Sequence, residues 1–317
     1  MMPRHVGDRA FRVGVRLAGW LPIAVLGGMT VFLLVQAWPA LARYGAASSL
    51  GSVQWAPSEA ATGSAQPNPY GVAQFVYGSV VTASVGMVLA VPVSVAVALF
   101  LTEVGPLAVR RPLAHAVDLL AAIPSVVYGF WAVFALIPAL RPVGGFLAGT
   151  LGRVPVLGAV FTGPFYGYSY LAAAIVLAIM VLPIITAICW EVFAATPIAE
   201  KEAALALGAT RWEMVRMAVL PRARAGIVGA CVLGLGRAIG ETIAVTMVIG
   251  NDVSGITASL LAPGATMPSV IANELTEASQ PLHLESLFVV ATWLLVLALA
   301  VNVAGRLLVR HGRTDPR

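Results

Sequence analysis

Residues 202–221 read EAALALGATRWEMVRMAVLP, a stretch with two glutamates, two arginines and a central glycine, set between apolar runs. Upstream, Thr196-Pro197 has the form of a helix start, a hydroxyl cap followed by proline at a position where its missing N–H is no loss. Glu200 and Glu202 then lie near the positive end of that helix. The helix runs to about Leu207 and closes at Gly208, which tolerates the left-handed conformation of a helix end. Thr210-Arg211-Trp212-Glu213 fits a capping box opening a second helix, and Leu220-Pro221 ends it. Two readings compete for this pair of short helices. It is an amphipathic loop resting on lipid headgroups, as Arg211, Trp212 and Arg216 would suit, or a rigid knob that docks a partner and passes motion to the flanking segments.

The rest of the chain is a solvent for neither reading but hydrocarbon. Of its 317 residues 59% are hydrophobic and only 10% charged, against about 25% charged in soluble domains. The net charge of +5 is carried almost entirely by arginines that flank apolar runs, which excludes a nucleic-acid surface. Cys189 and Cys231 fall in or beside apolar runs, so no disulfide is expected. His5, His115, His283 and His311 are scattered, so no metal site and no cofactor are expected. Six runs are long enough to cross a bilayer: roughly 17–37, 75–102, 114–140, 169–190, 225–250 and 286–309. The first follows a basic leader, and Ala40-Leu41-Ala42 resembles a signal-peptidase site, but its apolar run is longer than a signal core and favours a retained span.

Fifteen of the nineteen basic residues lie on one side of this arrangement: in the N-terminus, in the 103–112 and 191–224 loops, and in the tail. Only Arg43, Arg141 and Arg153 lie on the other. The excess of positive charge on cytoplasmic loops then puts both termini and the quoted stretch inside the cell. The outer loops differ in character: 38–74 is rich in Pro, Ser, Gly and Ala, 141–168 carries Phe161, Phe165 and Tyr166, and 251–285 holds Asp252, Glu274, Glu277 and Glu285. Loops of this length suggest an external docking partner.

Arg237 stands about 13 residues into the fifth run, roughly 20 Å deep, where a bare guanidinium is costly. Glu241, four residues on, is the nearest candidate partner, and Asp118 a second. The pair either locks helices together or presents positive charge to a crossing anion; spacing does not choose. GLGRAIG (234–240) is no dinucleotide fingerprint, because the third glycine position is Ile239 and no strand precedes it. Gly236 and Gly240 form a GxxxG that permits close approach of another helix. Pro92, Pro124 and Pro183 interrupt three further spans, consistent with helices lining a cavity.

Glu202-Ala203-Ala204, Gly208 and Leu220-Pro221, at their spacing, resemble the "EAA" loop of binding-protein-dependent ABC importer permeases, with Ala218 where an aliphatic residue is usual. AIPSVVYGFW (122–131), GLGRAIGETIAVTMVIGN (234–251) and the long loop after WPAL (38–41) resemble the phosphate-specific, PstC-type permeases within that family. The resemblance covers about residues 8–310. It implies an all-α polytopic membrane protein of type I importer (MetI-like) fold with six transmembrane helices. Residues 1–74 would form a leading helix and outer loop, 75–309 the transport core with the coupling loop at 196–221, and 310–317 a cytoplasmic tail. It also implies a multi-pass protein of the bacterial cytoplasmic membrane importing inorganic phosphate, with Arg237 and Glu241 on the pathway and 202–221 coupled to an ATPase. The implied partners are a PstA-like permease subunit, a PstB-like ATPase dimer and a PstS-like binding protein outside. No GxxxxGK[ST] occurs, so the chain cannot itself cradle ATP phosphates. Alternatives remain: the sister PstA-type subunit, a molybdate or sulfate permease, an ion-coupled secondary transporter, which would want more intramembrane acids and inverted repeats, or a membrane enzyme, for which no convergent catalytic set is apparent.

Overall fold

The computed structural model describes residues 4–56, 69–155 and 157–311. Residues 57–68 of the first outer loop, and Arg313 and Arg317 of the tail, lie outside the described residues. Helices dominate because the hydrocarbon offers a peptide group no partner, and only a helix satisfies its own N–H and C=O groups within one segment. Among the described residues six helical segments are long and apolar enough to cross a membrane: Phe11–Tyr44, Ala73–Val104, Ser125–Arg153, Tyr170–Ala194, Arg211–Gly240 and Pro281–Val309.

Helix α1 (Arg4–Tyr44) is continuous. Ala40-Leu41-Ala42 lies inside it, with Ala40 buried. Its Phe11, Trp20, Leu21, Val35 and Trp38 are exposed, as lipid-facing side chains are. The short α2 (Ala46–Gly51) follows. Helix α3 (Ala73–Leu99) ends in a π turn, Phe100–Val104. Helix α4 (Leu107–Ala122) is separated at Ile123-Pro124 from α5 (Ser125–Trp131), and a π turn at Ala132–Leu136 leads into α6 (Ile137–Thr150). Two 3-10 turns precede α7 (Tyr170–Ala194). The polar stretch forms α8 (Ile198–Ala206) and α9 (Arg211–Met214). A π turn at Val215–Val219 carries the chain into α10 (Leu220–Gly240), then α11 (Ile243–Ile249). The outer segment contains α12 (Met267–Glu274), and α13 (Pro281–His311) closes the chain.

Helix α7 is the axis of the molecule. Its buried residues run its whole length, from Tyr170 through Val181 to Phe193, and α3 and α10 pack along it. Small residues allow this: a Cβ on Gly86 of α3 would sit 3.1 Å from the Ala174 carbonyl, and one on Gly234 of α10 would sit 2.7 Å from Val181 Cγ1. Close backbone approach replaces the hydrophobic drive that lipid removes. A hydroxyl stitch joins α3 to α7, Ser94 Oγ donating to Leu182 O at 3.1 Å.

Several expectations need correction. The third span does not run 114–140: α4 is a separate amphipathic helix, and the spanning segment begins at Ser125. The fifth does not run unbroken through 225–250, because α10 stops at Gly240 and Glu241 adopts an extended conformation (φ −70°, ψ 126°). Pro92 and Pro183 interrupt nothing; both sit inside continuous helices, and only Pro124 marks a break. Leu220-Pro221 does not end the second short helix either. The wide π turn before it displaces the carbonyl that the proline ring would otherwise strike, so the helix continues into the span. The GxxxG glycines make no close helix contact within the chain: nothing lies within 4 Å of a Cβ on Gly240, and only Asn302 Nδ2, at 3.9 Å, near one on Gly236.

On the side away from the EAA stretch, a second core joins the end of α1, the start of α3, α12 and α13. Glu274 is not a free surface acid there. Its carboxylate accepts from Trp55 Nε1 at 2.7 and 2.9 Å and from His283 Nε2 at 2.8 Å, tying the first outer loop to α12 and α13. Burial, then the nearby Tyr44 and Glu274, push the Tyr70 phenol above its ordinary value. Where α3 passes this core, a Cβ on Gly78 would fall 2.0 Å from the Ala265 carbonyl. Gly78→Ala is therefore expected to lower the melting temperature of the detergent-solubilised protein, by the equivalent of about 1–3 kcal/mol; an unchanged melting temperature contradicts this packing.

Candidate functional site

The EAA stretch folds as a corner. Helix α8 starts at Pro197 as cap, its φ already near the helical value. Thr196 does not cap it: its hydroxyl is buried and makes no hydrogen bond. At the other end Leu207 N donates to Ala203 O and Ala209 N to Ala204 O, and the chain turns at Gly208 with φ +86°, where any Cβ is strained. The capping box is present. Thr210 Oγ1 accepts from Glu213 N at 3.3 Å, and Glu213 Oε2 accepts from Thr210 N at 2.7 Å.

The corner sorts its residues. Ala204 is buried against the helix core, where only a small side chain fits, while Glu202 and Ala203 are exposed. Leu207 at 87% and Trp212 at 64% stand out on the surface, with Ile198 and Leu205 also exposed. Exposed apolar side chains beside a closed corner are the kind of surface that partners cover. Leu207 carries no motif, and its exposure shows only in the fold. Two ion pairs brace the corner: Lys201 Nζ to Glu103 Oε1 at 2.5 Å, and Arg222 to Glu200 at 2.7 Å. The second is exposed and contributes little. Leu220 and Pro221 lie away from the corner, at the start of α10; Ala218 falls in the π turn before them, which needs no aliphatic bulk.

The second feature is a pair of helix breaks brought together. Pro124 has no N–H for the Leu120 carbonyl, which accepts instead from the Tyr128 hydroxyl at 2.8 Å and, at 3.4 Å, from Ile123 N. Sequence reading passed over Tyr128, since a tyrosine four residues after a proline is a signal only once the orphaned carbonyl is identified. Helix α5, just after this break, packs on α11, just after the break at Glu241-Thr242. Gly129 permits it, since a Cβ there would meet Met247 Sδ at 2.8 Å and Ala244 Cα at 3.0 Å. The Gly250-Asn251 end of α11 is closed by left-handed backbone (φ +95° and +51°) and by Asn251 Nδ2 donating to Thr246 O at 2.9 Å.

Arg237 occupies the last turn of α10, three residues from the break, and is exposed. It makes no ion pair with Glu241 or Asp118: the extended backbone at 241 takes Glu241 off the helical face, and Asp118 belongs to α4. Glu241 instead accepts a long bond, 3.4 Å, from Ala244 N at the start of α11.

Residues 1–313 match the family described as binding-protein-dependent transport system inner membrane component. The chain belongs to this family of membrane permease subunits. Within it, the chain is similar to proteins named phosphate transport system permease protein PstC: 40% identical to that of Mesorhizobium japonicum, covering 94% of this chain and 89% of the relative. To that of Xylella fastidiosa it is 44% identical over 81% and 76%, and to PstC 2 of Mycobacterium tuberculosis 40% over 96% and 93%. The fold matches that of an inward-facing MetNI methionine ABC transporter chain, with a TM-score of 0.53 and 20% identity, over 76% of this chain and 94% of that one.

Replacing Tyr128 with phenylalanine removes the shorter of the two bonds to the Leu120 carbonyl and leaves only the 3.4 Å one from Ile123 N, at a cost of about 0.5–1.5 kcal/mol. Hydrogen exchange at 120–128 is expected to accelerate accordingly in the Tyr128→Phe protein; identical exchange would show that the hydroxyl does not hold the break.

Proposed function

We propose that this chain is the permease subunit of an ATP-driven importer that moves inorganic phosphate across the bacterial cytoplasmic membrane. Its termini and the 196–221 corner face the cell interior, a reading supported by the one-sided distribution of arginine. The energy comes from a separate PstB-like ATPase dimer docked on the corner, because the chain has no phosphate-cradling GxxxxGK[ST] of its own. A PstA-like subunit completes the pore, and a PstS-like binding protein delivers phosphate from outside.

The observation that carries this reading is mechanical. From Arg211 to Gly240 the helix is continuous for 30 residues, about 45 Å at the helical rise. Its first turn is the exposed docking corner and its last turn holds Arg237. Displacement of the corner by a partner therefore moves Arg237 as one rigid rod, opening or closing the paired breaks at Pro124 and Glu241-Thr242. Arg237 supplies positive charge to a phosphate that has shed water, and Glu241, at the break, is positioned to respond as the anion passes. A molybdate or sulfate permease would use the same levers; the PstC names of the relatives favour phosphate.

ATP-dependent phosphate uptake by the complete complex in vesicles tests each part. Gly208→Pro fixes φ near −65° where +86° is required, and is expected to reduce uptake roughly tenfold or more through that strain. Arg237→Gln is expected to reduce uptake by roughly tenfold while leaving assembly intact, the loss of one charged hydrogen-bonding group. Full uptake in the first removes the coupling role of 202–221; full uptake in the second confines Arg237 to a structural part.

A further inference from the structure

Beside the corner lies a cavity of about 370 Å³ that the transport reading does not use. It opens where the second spanning segment ends in its π turn and the fourth approaches Ala194, and is walled on its third side by the amphipathic α4. Arg110, Arg111, His115, Asp118, Trp190 and Lys201 face it. Their hydrogen bonds leave donors over. Lys201 is neutralised by Glu103. Arg110 commits only Nε, to Gly105 O at 2.6 Å. The Arg111 guanidinium has neither hydrogen bond nor ion pair among the described residues. His115 is oriented by Nδ1 donating to the Arg111 carbonyl at 2.7 Å, so Nε2 faces a ligand as a lone pair in the neutral ring and as a donor to a phosphate oxygen when the ring is protonated.

Two forked guanidiniums, an oriented imidazole and a cavity of small-ligand size suit a phosphate group, which guanidinium binds through paired N–H donors. Trp190, one turn from the end of α7, marks the water–hydrocarbon boundary. We propose that this cavity is a phosphate-group site, filled either by the headgroup of an anionic phospholipid or by free phosphate. Asp118, which has no cation partner among the described residues, opposes the anion and sets the affinity. Lys201 belongs to α8, so an occupant would brace the corner against α4; that consequence, not the binding, rests on the coupling role proposed above.

Binding is read without ATP hydrolysis, so failure of the coupling reading would leave this test intact. The permease–ATPase complex, without binding protein, is placed in nanodiscs. In one arm the discs are titrated with phosphatidylglycerol and retained lipid is counted by native mass spectrometry. In the other, purely zwitterionic discs receive radiolabelled inorganic phosphate. Arg111 and Asp118 are exposed, so Arg111→Gln and Asp118→Asn should fold. The expected result, in at least one arm, is affinity lowered roughly five- to tenfold by Arg111→Gln and raised by Asp118→Asn; the arm that responds identifies the source of the phosphate group. Insensitivity of both arms to both substitutions, or shifts of the same sign from the two, would overturn the site.

Discussion

A peptide group inside hydrocarbon has no water to fall back on, and most of the architecture follows from meeting that demand. Helices α3 and α7 absorb a proline each without breaking, because continuous packing along their length holds the surrounding turns in place. At Ile123-Pro124 and at Glu241-Thr242 the helix gives way at the end of a spanning segment, and at both the cost is met locally. Tyr128 supplies the donor that Pro124 lacks. At the other break the Glu241 carboxylate reaches the first free N–H region of α11. That the two breaks share a packing surface through Gly129 follows from the same demand. Irregular backbone survives where protein surrounds it, so each break shelters the other.

Hydropathy made the number of spans legible, since hydrocarbon selects for runs of apolar residues whatever their neighbours. It could not see where the runs bend. IAVTMVI (243–249) is as apolar as the helix before it, so the division at 241–242 leaves no trace in composition. Pro92, Pro124 and Pro183 look alike in sequence and differ only in what packs around them. The corner at 202–214 was the most readable part, because a capping box and a left-handed glycine are local and need no tertiary context. Its continuation through Pro221 was hidden, since only a widened turn reconciles the proline with a helix. The latch of Trp55 to Glu274 and His283 was out of reach for a different reason: the tryptophan and the acid lie 219 residues apart.

The exposed apolar surface divides along functional lines. Along α1 it forms a band with no particular focus, as contact with lipid tails requires. At the corner it narrows to Leu207, Trp212, Ile198 and Leu205, flanked by charged residues. That arrangement, a small apolar centre with a polar rim, is how one protein surface meets another. The braces from Lys201 and Arg222 are lateral and fix the angle of the corner without covering its apolar cap.

Arg237 shows why an unpaired charge is tolerable there. The sequence offered Glu241 as the nearest candidate partner, because a guanidinium in a bilayer is expensive. The fold supplies other relief. The residue lies in the last turn of α10, where the negative end of the helix dipole favours a cation by about 0.3–1 kcal/mol. It is exposed on the surface of the chain, not sealed among apolar side chains. A tight pair with Glu241 would have cancelled that charge. By ending the helix one residue before Glu241, the backbone separates the two groups and leaves the positive charge uncommitted. The break that costs the helix its continuity is therefore also what makes the arginine available.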